Sequence, residues 1–216
     1  MDRLILVNSL NLDNLYSSFP ILASLQVNGL QFLTMIWNVC LALVPFFIYR
    51  LLRKHWPRRK LTAGFLFVLW LLFFPNSAYI MADARHLLDY CPADSPYQVC
   101  PANAWMVIFF FAFSASGWVL FYYNLKLMAG LILEIFNKFW SNIFILAIMP
   151  LTALGVLFGL LNRLNSWDAI FYPAVLWQAI AYNFLSLDFY INWYIFTVFF
   201  YLLYFAGDAI FRKTKF

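Results

Sequence analysis

Five mainly apolar stretches, at 30–49, 61–82, 105–123, 143–161 and 191–211, are each about as long as a membrane-crossing helix must be. A helix needs roughly 20 such residues to cross the hydrocarbon core of a bilayer. A soluble fold has no place for five of them in 216 residues. Composition agrees: 65% of the residues are hydrophobic and 11% charged, against about 45–50% and about 25% in a soluble domain. The expected class is therefore all-α, a polytopic transmembrane helix bundle of about five spans forming one domain over residues 30–216. Residues 1–29 read as an external arm. Their short apolar patches are broken by Asn8, Asn11, Asp13, Asn14 and Pro20, and no basic region precedes an apolar one as in a signal peptide.

Orientation follows from charge. RLLRKHWPRRK, residues 50–60, holds six Lys or Arg residues between the first two spans. Positive residues in short loops mark the cytoplasmic side. That puts the N-terminus outside and, with five spans, the C-terminus inside. The arrangement leaves 11 of 14 basic residues inside, all but Arg3, Arg85 and Arg163. Seven of nine acidic residues fall outside, all but Glu134 and Asp208. Asp208 precedes Arg212 by four residues, a helical spacing that permits an ion pair. Lys126, Glu134 and Lys138 fall in a part-polar connector between the third and fourth spans.

Residues 169–185 are apolar, but Pro173, Gln178 and Asn183 interrupt them. A full span there would carry the basic tail, Arg212, Lys213 and Lys215, to the outside. An interfacial or re-entrant helix fits better. Ser114, Ser116 and Gly117 in the third span, and Gly155 and Gly159 in the fourth, supply small residues for close helix contact.

The polar residues concentrate in FFPNSAYIMADARHLLDY, residues 73–90. Pro75 removes a backbone donor, and Asn76 can satisfy a group freed there. The helix is expected to resume through His86 to Asp89. Asn76, Tyr79, Asp83 and His86 recur at steps of three and four, so they share one helix face. The second and fourth spans end on the same side. Asp83, Arg85 and His86 thus share a membrane level with Arg163, Asn165, Ser166, Trp167 and Asp168.

Several uses of that cluster remain open. It can cross-link two helix ends, with Asp83 and Asp168 each near an arginine. It can bind a small polar ligand or a lipid headgroup: Trp167 and Tyr79 stack on it, Asn76 and Asn165 hydrogen-bond it, and Asp83 with His86 takes a proton. Intramembrane polar residues are site candidates by default. A hydrolase would use Asp83 to orient His86 and His86 to activate Ser166, though no nucleophile elbow is present. A metal held by Asp83, His86 and Asp168 has only the common Asp-x-x-His spacing to support it. A transporter is disfavoured, because the inner halves of the spans are mostly Phe, Leu and Ile.

No cofactor and no metal are expected. His55 and His86 are the only histidines, too few for a His-rich di-iron site, and they lie on opposite sides. No nucleotide-binding glycine motif occurs. The expected partners are the lipid bilayer and either a lipid ligand or another membrane protein, with no nucleic acid. Cys91 and Cys100 close a short external loop and can form a disulfide, whereas Cys40 lies in the first span.

Two stretches together resemble a known bacterial membrane family, domain of unknown function 1361. They are PNSAYIMADARHL, residues 75–87, and GLLNRLNSWD, residues 159–168, and WNVCLALVP, residues 37–45, is similar to that family's first span. Family members often carry a second proline where this chain has Ala78 and an arginine where it has Leu160, so no role for that arginine transfers. The resemblance implies a multi-span protein of a bacterial plasma membrane, with a cyanobacterial or organellar membrane as the alternative. It implies no activity.

Overall fold

The computed structural model describes residues 26–27, 30–56, 58–84 and 104–211. Most of the N-terminal arm, Arg85, His86, Cys91, Cys100 and the basic tail from Arg212 lie outside these residues. So do the expected helical continuation through His86 to Asp89 and the expected Cys91–Cys100 bridge.

A small antiparallel ladder, β1 (Gln26–Val27) against β2 (Leu30–Gln31), leads into α1 (Phe32–His55). Then follow α2 (Lys60–Phe73), α3 (Pro75–Ala82), α4 (Trp105–Ile135), α5 (Lys138–Asn162), α6 (Asp168–Phe171), α7 (Pro173–Asn183) and α8 (Leu187–Phe211). Among the described residues five helical segments are long and apolar enough to cross a bilayer: α1, α2 continued by α3, α4, α5 and α8. Their outward surfaces are apolar, as at Phe65, Ile108, Phe111 and Leu202, which suits contact with lipid rather than water.

The 11-residue α7 rises only about 16 Å, half the hydrocarbon thickness. Pro173 opens it, and Tyr172 breaks it from the four-residue α6. Residues 169–185 therefore make no full span, as Pro173 and the amides Gln178 and Asn183 imply.

Helix ends differ from the expected ones. α1 continues past residue 49 through Arg53, Lys54 and His55. The apolar window marks where lipid ends, whereas basic side chains at a helix C-terminus favour its continuation. The part-polar connector is likewise helical: α4 runs for 31 residues, about 46 Å, and overruns the hydrocarbon. Its polar residues pair across the bundle. Glu134 meets Arg53 at 3.4 Å, and Lys126 pairs with Asp208, which also accepts from the Tyr122 hydroxyl at 3.4 Å. Lys126 and Tyr122, both from another helix, thus meet Asp208, while its expected pairing with Arg212 lies outside the described residues.

The core is an aromatic file across three spans. Trp70 stacks on Phe74 at 4.5 Å, Phe74 on Phe121 at 5.4 Å, and Phe121 meets Phe200 at 5.5 Å. All four are buried. Proline defects are answered from neighbouring helices. Pro150 has no N–H to give the Leu146 carbonyl, and the Tyr201 hydroxyl donates to that oxygen at 2.6 Å. Trp193 Nε1 donates to the Pro150 carbonyl at 2.8 Å. In a bilayer each freed backbone group must find such a partner inside the protein.

Glycines let α3 sit deep between α4 and α5. A Cβ on Gly155 would lie 2.6 Å from Pro75 Cγ, one on Gly159 would lie 2.9 Å from the Tyr79 ring, and one on Gly117 would lie 2.8 Å from Ile80 Cβ. The small residues of the third and fourth spans therefore serve packing, and what they pack against is the segment that opens at Pro75. Ser116 faces outward instead, its hydroxyl bonded to the Phe113 carbonyl.

Candidate functional site

The site lies at the end of the bundle where α3 and α5 finish and α4 and α8 begin. α3 points its polar face at the loop after α5. Asn76 Nδ2 donates to Ser166 Oγ at 2.9 Å. The expected role of Asn76, satisfying backbone freed at Pro75, is thus replaced by a link to another element. Deeper in the bundle, Ser77 Oγ donates to the Ala42 carbonyl at 3.0 Å and accepts from Asn124 Nδ2 at 3.3 Å.

The loop after α5 reverses at Arg163, which adopts φ 57°, ψ 29°. It is the one non-glycine residue with positive φ among those described. A helix commonly ends on a left-handed residue, usually glycine. The Leu164 N–H returns to the Phe158 carbonyl at 3.3 Å, folding the loop back over α5. Arg163 itself is exposed, and no ion pair holds it among the described residues. The Asp168 carboxylate then accepts from the Asn165 backbone N–H at 2.6 Å, while the Asp168 N–H returns to the Asn165 carbonyl at 3.0 Å. Together these bonds close a turn over 165–168 that leads into α6.

Burial separates the candidates. Asp83 is 1% exposed, Asp168 3% and Trp167 8%. Tyr79, Asn165 and Ser166 are half-buried. Asp83 Oδ2 accepts from Asn38 Nδ2 at 3.0 Å. The neighbouring Trp37 meets Trp167 edge-to-face, ring centroids 6.2 Å apart. Two consecutive residues of α1 therefore join the acid of α3 to the indole of the loop. Neither was a candidate from sequence. Asn38, a lone amide within an apolar run, is the signal that was there to find.

Two buried polar atoms are left over. Trp167 Nε1 and Asp168 Oδ1 have no hydrogen-bond partner among the described residues. One is a donor only, the other a carboxylate acceptor. Their neighbours Asp83, Asn76 and Ser166 each take part in a hydrogen bond described above. Of the three hydrolase candidates, Ser166 is engaged by an amide, Asp83 by another amide, and His86 lies outside the described residues.

No curated protein and no solved structure matches the chain. A family described as "Protein of unknown function (DUF1361)" matches residues 37–205. The match begins at Trp37, takes in α3 and the loop 163–168, and reaches into α8. With most of its length matched, including every residue of the cluster described above, the chain belongs to that family of unknown function.

Proposed function

We propose that this end of the bundle faces outside a bacterial plasma membrane and binds a small polar ligand or a lipid headgroup. One observation carries the reading: two consecutive, buried side chains, Trp167 and Asp168, present a donor and an acceptor with no partner among the described residues. Leaving a buried polar atom unpaired costs about 1–3 kcal/mol, more if charged. Trp70 Nε1, Ser114 Oγ and Asn124 Oδ1 are also unpaired among the described residues, but only here do two such atoms fall on consecutive residues, where Asn38–Asp83 and Asn76–Ser166 already tie the helices.

The outside assignment rests on the six basic residues of 50–60. The fully packed aromatic file from Trp70 to Phe200 supports a one-sided site rather than a transport path. Binding is favoured over hydrolysis because the sequence around Ser166 has no nucleophile elbow and, among the described residues, Ser166 Oγ meets the Asn76 amide rather than a general base. Native mass spectrometry of protein extracted from its own membrane tests the reading. Wild type should carry a small molecule that Trp167→Phe loses while its abundance stays normal. A mass identical for both proteins, without adduct, would remove it.

A further inference from the structure

We propose a second binding site at the opposite end of the bundle, a basic surface that holds the phosphate of an anionic phospholipid. It stands apart from the reading above and shares no residue with it. Six exposed cations there, Arg50, Lys54, Arg58, Arg59, Lys60 and Lys138, have no carboxylate partner among the described residues. The two acidic side chains described at that end are already engaged, Glu134 by Arg53 at 3.4 Å and Asp208 by Lys126. No acidic residue stands in the first turn of α2 or of α5, and the cap of α5 is the neutral Asn137. Arg50 and Lys54 are four residues apart on α1, a spacing at which like charges repel, and Arg58, Arg59 and Lys60 are consecutive.

The fold holds these cations on a defined turn. The N–H groups of Arg58 and Arg59 both return to the His55 carbonyl, at 3.1 and 2.9 Å. Trp56 meets Phe136 edge-to-face, ring centroids 6.0 Å apart. With the Arg53–Glu134 pair, this contact ties the turn after α1 to the turn between α4 and α5, where Lys138 stands. Phe136, Phe139 and Trp140 beside it are 59%, 65% and 52% exposed. Exposed aromatic side chains, Trp above all, mark the level of the lipid headgroups at a helix end. The cations therefore stand where phospholipid phosphates lie, which selects a lipid over a soluble polyanion. Clusters of Lys and Arg next to a span attract anionic lipids. Orienting the chain needs only the number of such residues and their side. Gathering them into one exposed surface without carboxylates is the added feature, and a bound phosphate answers it.

The test is the melting temperature of the purified full chain in neutral detergent, with diphosphatidylglycerol or phosphatidylcholine added as mixed micelles, or with soluble pyrophosphate in place of lipid. Diphosphatidylglycerol should raise it by about 3 °C or more, and the other two additions should not. The rise should fall by about half or more when Arg58→Gln and Arg59→Gln are combined. It should also shrink for wild type in about 1 M sodium chloride, where charges are screened beyond about 3 Å. The salt measurement needs no substitution, so it decides alone should the double variant fail to fold or insert inverted. No rise with diphosphatidylglycerol overturns the proposal, as does an equal rise with phosphatidylcholine or a rise that salt leaves unchanged. A rise that Trp167→Phe abolishes puts the lipid at the other end of the bundle and overturns it too. A rise with pyrophosphate that matches the lipid's makes the ligand a soluble phosphate compound, which also overturns it.

Discussion

Replacing Gly155 with alanine should drive α5 away from α3. The new Cβ would stand 2.6 Å from Pro75 Cγ and 2.8 Å from Pro75 Cβ. Ordinary carbon–carbon contact lies at about 3.5–4.0 Å, so the helices must part by about 1 Å. The proline ring cannot rotate aside, and it is fixed at the start of α3. Overpacking of this kind costs about 1–3 kcal/mol. Alanine returns up to about 1 kcal/mol of helix propensity, but an alanine at a roomy position gains the same, so against such a control the loss should be about 1–3 kcal/mol. Gly130→Ala is the control, because nothing lies within 4 Å of its added Cβ. It should be neutral or slightly stabilising. One turn beyond Gly155, Gly159 seats Tyr79, and Asn76 holds Ser166, so the wedge should also loosen the site. Unfolding of both variants in mixed detergent measures the difference. Equal stability of Gly155→Ala and Gly130→Ala would refute the packing of α3 into a glycine cleft.

Other consequences are smaller in scope. Tyr201→Phe strips the donor from the Leu146 carbonyl and should cost about 0.6–2 kcal/mol. In a Pro150→Ala background the restored backbone N–H should shrink that cost, which a double-mutant cycle in unfolding free energy reads directly. Asn38→Leu removes a bond to a buried carboxylate and should lower stability by about 1.5–3 kcal/mol, visible as reduced melting temperature in detergent. Reporter fusions after Lys60 and after Phe216 should both read cytoplasmic; an external reading at either position contradicts the assigned orientation.

The spans were legible because twenty apolar residues in a row admit few other uses. Their ends were not. Apolar runs report the thickness of lipid, while α1 and α4 carry helix on through Arg53, Lys54 and Glu134, residues at home in a helix outside the hydrocarbon. The polar face of α3 was legible from the spacing of Asn76, Tyr79 and Asp83, and NSWD from its position at the end of a span. Partners across the bundle were not. Asn76 reaches Ser166, 90 residues away, rather than local backbone, and Asp208 takes Lys126, 82 residues away. Gly155 and Gly159 announced close packing without naming Pro75 and Tyr79 as what they receive. Asn38 leaves little trace in the sequence because one amide hardly alters an apolar run, although a lone amide at that depth must bond to something.

The central claim is that Trp167 and Asp168 hold a ligand rather than only a helix joint. It is tested most directly by a high-resolution structure of the protein extracted from native membrane without added lipid. The account predicts density for a bound molecule within hydrogen-bond distance of both Trp167 Nε1 and Asp168 Oδ1, between the ring of Trp37 and the carboxylate of Asp83. A lone water bridging the two atoms, or a side chain of this same chain occupying the position, would contradict it.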